Sequence, residues 1–222
     1  MDHIENLRKD IGHPNFIKKH SASSRLWHWL NLLVITGSLL TVLLNSTLFD
    51  VNRNAHYIQE QLHSVAVSIT NQQASHVAHG LEDKVWDIHS YFGIALTVLF
   101  LFRLSSSLFE IREQRFLFIL KKSIQYYRSL SKKSTQALHE VAIKFLYLLF
   151  YIFLSIMVIT GMLLTFKQDL GIGQETSHNI KEFHGFSMYI ILAFIVVHII
   201  GVVLAEIGKN RGIVSHMIHG GK

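Results

Sequence analysis

The stretch Lys181–Gly201, KEFHGFSMYIILAFIVVHIIG, is apolar enough to sit inside a bilayer, yet it carries two histidines, His184 and His198. They are fourteen residues apart. On a helix that separation is about 1400° of rotation, about 40° short of four full turns, with a rise of about 21 Å. Both side chains therefore project from nearly the same face, one near each end of the segment.

The whole chain has the composition of a membrane protein. Its 222 residues are 50% hydrophobic and only 16% charged, with a mean hydropathy of +0.31, too apolar for an ordinary soluble domain. Four windows have the length of about 20 residues that a bilayer crossing requires: Leu26–Leu48, Trp86–Leu104, Ile143–Phe166 and Phe183–Glu206. The helices of a soluble bundle would each show a polar face, and these show almost none. The expected fold is an all-α integral membrane protein, a bundle of four transmembrane helices forming one domain over residues 1–222. Met1–Arg25 is polar and no small-residue cleavage pattern follows the first apolar run, so the first span is expected to stay in the mature protein.

Lysine and arginine set the expected orientation. Arg8, Lys9, Lys18, Lys19 and Arg25 precede the first span; Arg112, Arg115, Lys121, Lys122, Arg128, Lys132 and Lys133 lie between the second and third; Lys209, Arg211 and Lys222 follow the fourth. The other two connections hold only Arg53 and Lys84, and Lys167 and Lys181. Both termini are thus expected in the cytoplasm. Topology accounts for the pI near 9.5, and no nucleic-acid partner is needed to explain it.

The connections carry patterns of their own. Ile58, Leu62, Val65 and Ile69 recur at helical spacing, which predicts a surface helix on the outer side. In RFLFILKKSIQYYRSLSKK, Arg115–Lys133, apolar and aromatic residues interleave with cations, as in a segment resting on the inner leaflet. Either could dock a partner or simply rest on lipid or in solvent.

Of fifteen histidines, only His28, His89, His184 and His198 fall within the apolar spans. An ionisable group at membrane depth needs a partner and is a functional candidate by default. With both termini inside, the second and fourth helices run inward and the first runs outward. His89 then shares the outer level with His184, and His28 shares the inner level with His198. Two facing pairs in a four-helix bundle suit two bis-histidine haems. Gly93, Gly185 and Gly201 beside these histidines would give a porphyrin clearance, although small residues also let membrane helices pack closely. His28 lies only two residues into its span, so an inner pair requires the first helix to extend toward the cytoplasm or to tilt.

Other readings stay open at this level. A proton or metal-ion pathway also uses intramembrane histidines, but it normally recruits carboxylates, and only Asp87 and Glu206 occur, both at span edges. Purely structural, hydrogen-bonded histidines are a further reading. His76 and His79, at i, i+3 spacing in the outer connection, could bind a metal or stand in solvent. With no cysteine in the chain, thiolate-held clusters, thiolate-ligated haem and covalent c-type haem are excluded.

The segments SRLWHWLN (Ser24–Asn31), WDIHSYFGIALTVLFLFRL (Trp86–Leu104), ALHEVAIKFLYLLFYIFLSIMVITGMLL (Ala137–Leu164), HGFSMYIILAFIVVHIIGVVLAE (His184–Glu206) and GIVSHMIHGGK (Gly212–Lys222) resemble the bacterial cytochrome b561 family. Within it they look most like the b-type cytochrome subunits of nickel–iron hydrogenases and related formate dehydrogenases. The resemblance implies a multi-pass cytochrome of the bacterial inner membrane with two b haems, whose ligands map onto His28, His89, His184 and His198. It further implies electron relay between a periplasmic redox partner, a subunit or a cytochrome, and the membrane quinone pool, with quinone at the cytoplasmic side. The outer connection Phe49–Val85 is longer than in stand-alone members, which favours a subunit of a respiratory complex. The alternative is a stand-alone quinone-linked oxidoreductase acting on a diffusible one-electron donor such as superoxide. Two histidines per iron leave no open position, so the haems would relay electrons and the chain would be the electron-transfer part of an oxidoreductase. Arg25 and Arg103 are candidates to pair with propionates at the inner haem or to snorkel to lipid phosphate, with Lys84 and Lys181 weaker candidates at the outer one.

Overall fold

The computed structural model describes residues 8–10, 13–18, 22–108, 116–129, 135–208 and 212–220. Beyond a short antiparallel hairpin of β1 (Arg8–Asp10) and β2 (His13–Lys18), the described chain is helical. Helices α1 (Ala22–Thr47), α3 (Asn71–Leu108), α5 (Thr135–Thr165) and α6 (Gln174–Ile207) are long, with α2 (Val51–Ser64), α4 (Phe116–Ser129) and α7 (Ile213–His219) between and after them. Of the cations expected to set orientation, Lys19, Arg112, Arg115, Lys132, Lys133, Lys209, Arg211 and Lys222 lie outside the described residues.

Each of the four long helices contains a stretch long and apolar enough to cross a membrane. Their apolar windows are scarcely covered by protein, from 6% buried in α6 to 17% in α5. Residues such as Leu33, Val98, Ile159 and Ile207 are exposed. A water-soluble surface does not carry apolar area on this scale, whereas lipid solvates it. Polar residues are among those that protein does cover: the buried residues of α1 are Asn31, Thr41 and Asn45, and Ser187 of α6 is fully covered. The chain is an all-helical membrane protein.

The chain divides into two compact units, Leu30–Leu99 and the remainder, Met1–Trp29 with Phe100–Lys222. Within Leu30–Leu99, the Asp50 side chain accepts from the Arg53 N–H at 2.9 Å and starts α2. Thr70 and Gln73 cap one another's backbone N–H groups at the start of α3, at 3.2 and 2.8 Å. Alanines make the contact between these two helices: Ala55, Ala74 and Ala78 are buried, with Val51, Ile58 and Ile69 packed over them. The expected continuous surface helix is therefore a helical hairpin. It breaks where Val65 ends α2 and Ala66 takes φ 61°, so Ile58 and Ile69 reach one small core from different segments. Further along, a Cβ on Gly37 would lie 2.5 Å from the Phe92 ring, so glycine is what lets α1 approach α3.

In the other unit α6 packs on α5, α4 on α5 and α7 on α6. Leu154 is fully buried in α5, and the Lys144 ammonium of α5 donates to the Ser123 hydroxyl of α4. The covered positions of α6 include Ser187 and Ile191, with His184, Phe194 and His198 half-buried. Their spacing of three, four, three and four residues is one helical stripe. The two histidines stand at its ends, as the fourteen-residue separation predicts.

Candidate functional site

His28 and His198 come from opposite ends of the sequence, on α1 and α6, and their rings meet with centroids 6.3 Å apart and planes 57° apart. α1 begins at Ala22, six residues before His28, which supplies the extension that the hydropathy profile lacked. Aromatic rings hold both imidazoles. Trp29 sets its ring edge-on to His28 at 5.3 Å. Phe194 stacks on His198 at 5.8 Å with planes 10° apart, and Phe150 stacks behind Phe194 at 4.4 Å.

α7 is tied down beside His28. The Arg25 guanidinium donates to the Ile218 carbonyl at 3.1 Å and the Trp29 indole N–H to that of Met217 at 3.3 Å. At the far end of α7, the Glu206 carboxylate accepts from the N–H groups of Gly212 and Val214. Arg103 lies 5.8 Å over the Trp27 ring and donates from Nε to the Tyr151 hydroxyl at 3.3 Å. Both predicted arginines thus stand near the start of α1, engaged with protein partners.

His89 is held within Leu30–Leu99. Its Nδ1 is 2.8 Å from Thr41 Oγ1 and 3.5 Å from Ser38 Oγ, and Trp86 meets its ring edge-on at 5.3 Å. His184 is held in the other unit by α5: its Nδ1 is 2.7 Å from Thr160 Oγ1. A Cβ on Gly161 would sit 3.3 Å from His184 Cε1, so the glycine gives the ring its seat. Sequence reading missed Thr41, Thr160 and Gly161. The only signal for them is that each small or hydroxylated residue interrupts an apolar run, and such residues are common in membrane helices.

Several observations fit a haem. A metal ion with an imidazole nitrogen about 2 Å away on either side puts the two ring centroids about 6 Å apart, the spacing of His28 and His198. Among the described residues no group of three or more His, Asp or Glu converges on a metal site. His79 Nδ1 faces Glu82 Oε2 at 3.3 Å, and among the described residues His76 and His79 are not part of a group of three or more such side chains. A Cβ on Gly93, Gly185 or Gly201 would meet no described atom of its own unit within 4 Å. Gly37 and Gly161 differ, each standing close to a ring of its own unit. Arg25 Nε is buried and has no hydrogen-bond partner among the described residues, a cationic donor of the kind a carboxylate would accept from.

Among known families the sequence matches the profile of prokaryotic cytochrome b561 over residues 19–220. No curated protein and no solved structure matches it. The chain belongs to the prokaryotic cytochrome b561 family, membrane b-type cytochromes that transfer electrons.

Proposed function

We propose that this protein is a di-haem cytochrome b of the bacterial inner membrane, with both termini cytoplasmic, relaying electrons between a periplasmic redox partner and the quinone pool as a subunit of a respiratory complex. The observation that carries the proposal is the opposition of His28 and His198 at 6.3 Å, with His184 at the other end of the same α6 stripe. In this reading His28 and His198 hold one haem, and His89 and His184 hold the other. The bound haems supply reversible one-electron chemistry at iron.

The residues of the chain then have distinct tasks. The paired imidazoles would hold each iron from two histidines and leave no position open to oxygen or substrate. Phe194 and Phe150 shield His198 from solvent. Arg25, whose Nε has no partner among the described residues, and Arg103 offer cations to propionates at the inner level, and quinone takes its place near that level. The helical hairpin of α2 and the start of α3, folded around its own alanine core, supports a docking role on the outer side.

The test is a reduced-minus-oxidised absorption spectrum of the purified protein with haem counted per chain, for the wild type and His198→Ala. Two b haems falling to about one support the paired-ligand reading; a well-folded wild type without haem sinks it. Copurification with a periplasmic subunit supports the complex, and recovery only as a self-contained monomer or homodimer favours the stand-alone oxidoreductase.

A further inference from the structure

His89 and His184 lie on different helices in different units, yet each imidazole is held by the same device. Thr41 Oγ1 is 2.8 Å from His89 Nδ1 and donates to the Ser38 carbonyl at 2.6 Å. Thr160 Oγ1 is 2.7 Å from His184 Nδ1 and donates to the Ile156 carbonyl, one turn back, at 2.6 Å. Both threonines are more than nine-tenths buried, at 4% and 8% exposure, so water does not compete for these bonds.

A hydroxyl has one proton, and a carbonyl can only accept. The hydroxyl proton therefore lies on the short contact to the helix carbonyl, the usual back-bonding of threonine within a helix. What each hydroxyl turns toward the imidazole is a lone pair. Nδ1 must then carry the ring proton, and Nε2 keeps its lone pair. Had the hydroxyls donated to Nδ1 instead, Nε2 would carry the proton and could not bind a metal.

We infer that Thr41 and Thr160 are positioning residues that hold His89 and His184 in the Nδ1-protonated tautomer, present Nε2 as the ligand nitrogen and make that nitrogen more basic. The inference rests on the proposed haem ligation. Groups that accept the second ring N–H of a metal-bound histidine fix its orientation and raise its basicity. A more basic axial nitrogen favours ferric over ferrous iron and lowers the reduction potential.

The test is a potentiometric titration of the full-length protein, with haem counted per chain, on the wild type, Thr160→Val, Thr160→Ser, Thr41→Val and Thr41→Ser. Valine keeps the volume and removes the hydroxyl; serine keeps the hydroxyl. Thr160→Val is expected to retain two haems and to raise the midpoint of one by a tenfold change in ferric preference, roughly 59 mV for one electron. The other haem should stay put, and Thr160→Ser should restore the wild-type value. Thr41→Val should move the same haem less, because the Ser38 hydroxyl, 3.5 Å from His89 Nδ1, remains beside the ring. Loss of one haem in a valine variant with retention in its serine counterpart supports the same conclusion. Two haems with unmoved midpoints in both valine variants, or equal haem loss with valine and serine, overturns the threonine role. Absence of haem from the wild type overturns the ligation itself.

Discussion

The His28 and His198 rings face each other across 6.3 Å although their positions are 170 residues apart in the sequence. The chain joins the start of α1 to the C-terminal half of α6 at that point, and under the proposed ligation the two histidines serve one haem. His28→Ala and His198→Ala should each leave about one haem per chain, and the double variant should also leave about one. Additive loss to none would show that the two histidines serve different irons. Haem extraction and counting per chain reads the outcome directly.

Gly37 and Phe92 offer a packing test. A Cβ on Gly37 would fall 2.5 Å from the Phe92 ring, so Gly37→Ala should destabilise by about 1–3 kcal/mol, the usual range for overpacking. Adding Phe92→Leu should recover much of that loss, because the clash is with that one ring. Thermal inactivation in detergent, followed by the haem absorbance, gives the comparison; full additivity of the two changes would contradict the contact.

Gly161 has the same character at the other histidine. Alanine brings a Cβ to 3.3 Å from His184 Cε1, a distance the ring can accommodate by shifting a few tenths of an ångström. Leucine cannot be accommodated that way. Gly161→Ala should retain both haems, and Gly161→Leu should lose about one, read from the reduced-minus-oxidised spectrum.

Glu206 fastens the start of α7 by accepting from Gly212 and Val214, while Arg25 and Trp29 fasten its end. Glu206→Ala should speed amide hydrogen exchange through Ile213–His219 and leave the α6 stripe protected. Equal protection in the variant would mean that the two carbonyl contacts alone hold the helix.

The proposed orientation has its own test. A reporter that fluoresces only in the cytoplasm should be bright when fused after Lys222, and a phosphatase active only in the periplasm should work when inserted in the connection between Val65 and Ile69. The reverse pattern would invert the assignment of inner and outer levels.

Hydropathy and helical periodicity are local properties, and the sequence by itself determined what depends on them. Four windows came out as four apolar helices, and His184 and His198 came out on one stripe of α6, because a helix converts spacing into direction without help from its neighbours. Helix ends outside the apolar runs were less visible. α3 starts at Asn71, well before the window at Trp86, and the Thr70–Gln73 capping pair that begins it is a four-residue signal with no hydropathy. Spacing and topology also led to the expectation that His28 meets His198, but the 6.3 Å ring contact between them, the seating of His184 by Thr160 and Gly161, and the use of Arg25 on the Ile218 carbonyl were decided only by tertiary structure. Each depends on which helix faces which, and nearly uniform apolar helices in lipid carry little one-dimensional record of their neighbours.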